Sequence, residues 1–360
     1  MIHSISHSYS QRRWPYRKRK AALVNALLIC ALLSSDAGAR PPDSFLQSVA
    51  DDDLKSVERT LSSPHEANLL NPTKQELDLE LRGCLDHFQE DGSEEGFPVA
   101  PVWMCKQQSR QLRPIYIAPS LAMAALLIRH GAEIYPDDVE LGNLAIEHRP
   151  EDEALALLKF FAGHGVDFSR RAEGSGLSPM HVAMRHHSAD IARFLLEQGV
   201  SATVRDSQGR TPLHYLAQSE NQAPVLAAKL RLLLEAGAPL ESRDQAGNTP
   251  LHLAVISPNP HAMEIFLRAG ASLSATNLEG HSPLYVFVEE MCSWAGESEM
   301  LRLRSKNLQF ILSFPGSNSA REIEKPADLV RQRMKEDPEN GDDYAMILGI
   351  LQKAASQSPY

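Results

Sequence analysis

The sequence predicts an all-α solenoid of stacked helix-turn-helix units with projecting hairpin loops, and three observations carry that prediction. The hexapeptide GRTPLH at 209–214 returns as GNTPLH at 247–252. Two stretches of 33 residues, 173–205 and 244–276, align end to end; the 38 residues between them, 206–243, keep both ends of the pattern and add five in the middle. Within each period, apolar residues recur twice at helical spacing and a glycine follows the second set. A fixed period of this size means units that bury their apolar stripes against one another, not one compact globule.

Each part of the period has a local physical use. Gly209 turns the chain through positive φ, Thr211 supplies a hydroxyl that suits a helix N-cap, and Pro212 suits a first helical position. Thr249, Pro250, Leu251 and His252 repeat the series Thr211, Pro212, Leu213 and His214, and Ser178, Pro179 and His181 start the preceding unit in the same way. Leu251, Ala254 and Val255 share a face of a short first helix, and Met263, Phe266 and Leu267 share a face of a second, which Gly270 ends. Gly199 and Gly237 end the two earlier second helices. The stretch from Gly199 to Gly209 is small and polar, as a projecting loop requires.

Weaker copies extend the array both ways. The chain divides into an N-terminal leader, 1–39; a degenerate N-terminal repeat, 40–72; a degenerate repeat with a long insertion, 73–134; repeats at 135–172, 173–205, 206–243 and 244–276; a degenerate repeat with an insertion, 277–320; and a C-terminal capping repeat, 321–360. In the last of these Pro326 takes the place of Pro250 at the start of a helix. Two stretches break the period: residues 62–113, with Phe97, Trp103 and Met104 beside Pro98 and Pro101, and residues 289–301, EEMCSWAGESEML. The first is expected either to cover the stack or to meet a partner.

The leader has its own logic. A basic segment ending YRKRK precedes the 13-residue apolar run AALVNALLICALL and then SSDAGAR, where Ala37 and Ala39 form a small-residue cleavage site. That layout predicts a secretory signal peptide cut after Ala39, hence a periplasmic or secreted protein; an uncleaved membrane-anchoring N-terminus is the alternative. The run is too short for the ~20 residues that span a bilayer, so no membrane span is expected after cleavage. Six of the 36 Lys and Arg and one of the 46 Asp and Glu lie in the leader, which leaves 30 basic against 45 acidic residues. So acidic a body, without a basic stripe, speaks against nucleic-acid binding. Three cysteines remain in the mature chain. Cys84 with Cys105 would close a loop of about 20 residues, stabilising by roughly 3 kcal/mol, and three buried thiols are the alternative.

The period and the TPLH helix starts resemble the ankyrin repeat. The resemblance implies that His181, His214 and His252 are structural, bonded near the preceding Thr or Ser and towards the next repeat. Tyr285 departs from the pattern by standing in the histidine place of GHSPLY, 280–285. The resemblance also implies a concave face that holds a protein partner. Its contacts would come from the loop tips, with Arg170 and Arg171, Arg205, Asp206 and Gln208, Arg243, Asp244 and Gln245, and Asn277 and Glu279. Arg185, Tyr215, Gln218 and Ser257 would add contacts from the first helices. A row of guanidinium groups suits carboxylates on a partner, and an Arg-Asp pair that merely tidies each tip is the alternative.

No enzyme signature stands out. The sequence lacks HExxH, G-x-S-x-G, a Walker loop and a dinucleotide fingerprint. His186 and His187 are adjacent and do not share a helix face, Asp51, Asp52 and Asp53 read as a solvated turn, and Cys292 has no base beside it. The expected function is therefore a monomeric, non-enzymatic scaffold for an unidentified protein partner, with no cofactor or metal. A secreted effector or toxin antagonist, and an enzyme with its site in the 62–113 insertion, are the alternatives.

Overall fold

A computed structural model describes residues 43–62, 113–118, 120–186, 189–314 and 320–356. The leader, Cys84, Cys105, His187 and nearly all of the 62–113 insertion lie outside the described residues. The chain falls into two compact units, one ending at Ile134 and the other beginning at Tyr135.

The described part of the first unit holds α1 (Asp43–Ala50), α2 (Leu54–Leu61), α3 (Pro114–Ile117) and α4 (Leu121–Arg129). Val49 and Val57 are fully buried, as are Met123, Ala124 and Leu127 on α4. Asp51 and Asp52 form the turn between α1 and α2, and Asp53 caps α2 by accepting the Ser56 N–H at 3.1 Å. Those bonds hold the exposed Asp53 carboxyl below the usual range.

The second unit is a row of helix pairs: α5 (Val139–His148) with α6 (Glu151–Gly163), α7 (Pro179–Arg185) with α8 (Ala189–Glu197), α9 (Pro212–Ala217) with α10 (Ala223–Glu235), and α11 (Pro250–Ile256) with α12 (Pro260–Arg268). Next come α13 (Pro283–Cys292) with α14 (Ser298–Leu312) and α15 (Ala320–Glu336) with α16 (Gly341–Ser356). The first helices stack side by side from α5 through α7, α9, α11 and α13 to α15, while α8, α10 and α12 form a second layer. No strand occurs among the described residues, so the loops between pairs project as turns.

Burial follows the apolar spacing. Leu213, Leu216 and Ala217 are fully buried on α9, and Leu251, Ala254 and Val255 are 1% exposed on α11. Each of α6, α8, α10 and α12 ends in a glycine at φ between 82° and 92°: Gly165, Gly199, Gly237 and Gly270. The N–H after the glycine reaches back into the helix, Val200 to the Leu195 carbonyl and Ala238 to that of Leu233, so the last carbonyls are bonded within the turn.

Most of the five extra residues in 206–243 lengthen α10, which has 13 residues against nine in α8 and α12. Two readings of the sequence are corrected here. Residues 289–301 do not interrupt the helices of the seventh repeat. Leu284, Phe287, Val288 and Met291 continue one buried face to the end of α13, and Leu301 is buried on α14, so only 293–297 connect the two. Pro326 does not open a helix but lies inside the 17-residue α15, buried between Ile323 and Ala327 on the face that packs on α13. Its missing N–H costs one intrahelical bond, while burial of Ile323, Ala327 and Val330 along the same face holds the helix.

Candidate functional site

The first helices of three successive repeats begin with the same bonded unit. At α7, α9 and α11 the ring Nδ1 of His181, His214 and His252 accepts the backbone N–H of Ser178, Thr211 and Thr249, each at 3.1 Å. The hydroxyl of the same Ser or Thr accepts the histidine's own backbone N–H, closing a capping box. Because Nδ1 accepts, Nε2 carries the proton, and it donates to a carbonyl of the next repeat: Arg210 at 3.1 Å, Asn248 at 3.0 Å and His281 at 3.1 Å. Burial lowers all three pKa values, that of His181 to about 4, against a smaller upward pull from the accepting carbonyls. These histidines are therefore neutral rivets between repeats. The series stops at Tyr285, which stacks on His281 with centroids 4.0 Å apart.

The turns ahead of these helices form a second series. Asp206 N–H donates to the Arg210 carbonyl, Asp244 N–H to Asn248 and Asn277 N–H to His281, each at 3.0 Å. One side-chain oxygen then gathers two N–H groups in each turn. Asp206 Oδ1 accepts from Gln208 and Arg210 at 2.8 Å, Asp244 Oδ1 from Ala246 at 2.9 Å and Asn248 at 2.8 Å, and Asn277 Oδ1 from Glu279 and His281 at 3.0 Å. Neighbouring turns are joined by backbone bonds from Ser207 to Ser175 at 3.0 Å, Gln245 to Gln208 at 2.9 Å and Leu278 to Ala246 at 3.0 Å.

The tip arginines run along this ladder. Arg205 Nη1 donates to the carbonyls of Gly209 at 2.6 Å and Arg243 at 2.7 Å, while Arg243 Nη1 donates to Gly247 at 2.9 Å and to Thr276. Arg171 Nη1 donates to the carbonyl of Arg205 at 2.9 Å. The Arg-Asp pair within each tip, drawn from the sequence as the alternative, does not form: Asp206 and Asp244 hold turn N–H groups, and the guanidinium groups hold carbonyls. Arg170 instead pairs with Asp167 at 3.4 Å.

Of the other predicted contacts, Tyr215 donates its hydroxyl to Asp206 Oδ2 at 2.8 Å, which with burial pushes its pKa well up. Gln245 Nε2 donates to the Ser207 carbonyl at 3.0 Å, and Glu279 lies 3.3 Å from His281. Gln208, Gln245, Glu279, Arg170, Arg171, Arg205 and Arg243 are exposed, so the turns bring them to one edge of the array. Arg185 and Gln218, also exposed, lie at the opposite ends of α7 and α9, and Ser257 is buried.

Sequence reasoning missed a set of caps at those opposite ends. Lys229, fully buried on α10, donates to the carbonyls of Ala183 at 2.8 Å, Met184 at 3.3 Å and His186 at 2.6 Å where α7 ends. Asn259 caps the end of α9 through the carbonyls of Ser219 and Asn221, both at 2.8 Å, and Arg304 reaches the Val255 carbonyl of α11 at 3.2 Å. Each cap comes from the following repeat. Lys229 was detectable: it stands eight residues before Gly237, where the flanking repeats have Ile191 and Ala262. Burial pushes its pKa down to about 7, while three carbonyls at a helix C-terminus favour the ammonium.

The geometry defines a class, the ankyrin-repeat solenoid, whose repeats imply protein–protein interaction. Residues 143–229 match the family model for ankyrin repeats (3 copies), and residues 246–278 match the model for a single ankyrin repeat. Among curated proteins the chain is similar to neurogenic locus notch homolog protein 1 of Xenopus laevis, with 34% identity over 84 residues, 23% of this chain and 3% of that protein. It is likewise similar to the same protein of Homo sapiens, 32% over 72 residues, and to the neurogenic locus Notch protein of Drosophila melanogaster, 33% over 64 residues. The chain spans only 2–3% of the length of these relatives, so the likeness concerns the repeats alone.

Proposed function

We propose that this chain is an exported, non-enzymatic scaffold that holds a protein partner along the turn edge and first helices of its ankyrin array. The observation that carries the reading is the turn ladder. It fixes successive turns by backbone bonds and presents Gln208, Gln245, Leu278 and Glu279 at its exposed edge. A row of fixed backbone with exposed, differing side chains is suited to reading an extended or folded protein surface. Leu278, 79% exposed, adds an apolar contact that a lone monomer leaves in water.

The export part rests on the basic segment, apolar run and Ala37-Ala39 site of the leader, and places the partner in a periplasm or outside the cell. Among the described residues no helix is long and apolar enough to cross a membrane. The test is in-cell cross-linking of the C-terminally tagged full chain, followed by mass spectrometry of the captured proteins and of the bait's own N-terminal peptide. A bait beginning at Arg40 with an enriched partner is the expected result. An intact N-terminus refutes export, and the lack of any cross-linked protein refutes the scaffold.

A further inference from the structure

One turn of the ladder departs from the rest. In the turns after Arg205, Arg243 and Thr276 the first turn residue is Asp206, Asp244 or Asn277, whose side-chain oxygen fills the turn. In the turn that opens the 173–205 repeat the same place is held by Ala172, which takes the equivalent backbone bond from its N–H to the Leu177 carbonyl. This turn is one residue longer than the others and carries two glycines at positive φ, Gly174 at 75° and Gly176 at 66°. Ala172 and Asp206 are equally buried, at 7% exposure, so what differs is the missing carboxylate.

The arginines beside this turn are also less committed. Arg205 and Arg243 each bridge a carbonyl of their own turn and one of the next, whereas Arg171 reaches only the next, at Arg205. Arg170 keeps one long contact, 3.4 Å, to Asp167, whose carboxylate is already engaged by Ser169. A shallow, open cleft lies here, lined by Arg170, Arg171, Ala172, Gly174, Gly176 and Ser207. Asp206 is occupied by two N–H groups and Tyr215, and Asp167 holds Ser169 through Oδ1 while its Oδ2 meets Arg170 only at 3.4 Å.

We propose that this cleft is a carboxylate-binding subsite, in which an Asp or Glu side chain of the protein partner sits against Arg170 and Arg171 over the Ala172 turn. The proposal rests on the scaffold reading above and adds its specificity. It assigns an acidic partner segment to a chain that is itself acidic, because two exposed arginines, one bonded to a single carbonyl and the other to a carboxylate at 3.4 Å, line the same cleft. The guanidinium fork of Arg171 matches a carboxylate in two-point geometry, while Gly176 lets the backbone of the next turn, at Asp206 and Ser207, close against this one.

The test is fluorescence anisotropy of the full chain with a labelled hexaglutamate peptide, with hexaglutamine and inorganic phosphate as comparisons. Hexaglutamate is expected to bind and hexaglutamine not to. The affinity should fall about tenfold or more in Arg170→Gln/Arg171→Gln, through the loss of charge-assisted bonds. Ala172→Asp, which adds a negative charge beside both arginines, should weaken binding clearly with the helical circular dichroism retained, while Arg231→Gln on the outer layer should change nothing. Equal binding by wild type and Ala172→Asp, no binding of hexaglutamate at all, or stronger displacement by phosphate than by free glutamate would overturn the proposal. The in-cell cross-linking separates the two readings: a partner captured equally by wild type and Ala172→Asp removes the subsite and leaves the scaffold standing.

Discussion

His214 donates its Nε2–H to the carbonyl of Asn248 at 3.0 Å, and Asn248 directly precedes Thr249, whose own N–H is accepted by His252. One imidazole thus caps the helix of its own repeat and fastens the start of the next. His214→Ala leaves the buried Thr211 N–H without a partner and takes from the Asn248 carbonyl one of its two bonds, the other being that from the Asp244 N–H. The expected loss is about 2–4 kcal/mol, one unsatisfied buried N–H at roughly 1–3 and the lost bond between repeats at roughly 1. Urea unfolding checks it, and a midpoint equal to wild type would show that the bond carries no net stability.

The same histidines set a pH response. In the folded chain burial depresses their pKa values, to about 4 for His181, while in the unfolded chain each titrates near 6.5. The unfolded state therefore binds more protons between these values. The histidine contribution to stability is complete above about pH 6.5, declines as the pH falls towards 4 and flattens below it, by an amount on the order of 3 kcal/mol for His181. Asp167, held below the usual range by Ser169, responds only at lower pH. Urea midpoints from about pH 7 to about pH 5 check the sign, and imidazole proton shifts that moved near pH 6.5 in the folded protein would contradict it.

The repeat was legible because its signals are local. Thr211-Pro212 and Thr249-Pro250 mark helix starts and Gly199, Gly237 and Gly270 mark helix ends without reference to anything distant. The histidine role was legible through resemblance, since its partner carbonyls lie 29 or 34 residues away. The tip arginines, read either as meeting a partner's carboxylates or as pairing with Asp within each tip, had their carbonyl partners missed for the converse reason. Only when the turns stack does Arg205 find the Arg243 carbonyl 38 residues on. Residues 289–301 read as an interruption because counting by period assumes helices of fixed length, while the buried series Leu284 to Met291 extends α13 instead.

Lys229 supplies a prediction that period alone could not. Its ammonium has three N–H bonds for three carbonyls, whereas a neutral amine has two. Lys229→Ala opens a cavity and leaves the α7 terminus uncapped, at an expected cost of about 3–5 kcal/mol. Lys229→Met keeps most of the volume and removes the buried charge, so it should be clearly the milder of the two. Chemical denaturation of both ranks them. Equal losses would show that packing at this position contributes nothing and that the carbonyl bonds carry the whole effect.

Core truncation tests the packing face itself. Leu213 and Leu251 are 0% and 1% exposed on adjacent first helices. Replacing either by Ala should cost ~2–5 kcal/mol, with the larger value where neighbouring helices cannot close on the void. A melting temperature unchanged from wild type would place these side chains outside the core.

The turn arginines yield the last prediction. Had their guanidinium groups been free, charge reversal at Arg205 and Arg243 would leave stability intact and weaken only partner binding. Both instead donate to carbonyls of two successive turns, so even the neutral pair Arg205→Gln/Arg243→Gln removes bonds that hold the ladder. The groups are exposed, and solvent compensates part of the loss, so the expected cost is about 1–3 kcal/mol for the double variant. The effect should be local. The amides of Gln245 and Leu278, which join neighbouring turns, should exchange with deuterium faster, while those inside α9 and α11 change little. Unaltered exchange at Gln245 and Leu278 would mean that the backbone bonds hold the turns by themselves, and would return these arginines to the set available for a partner.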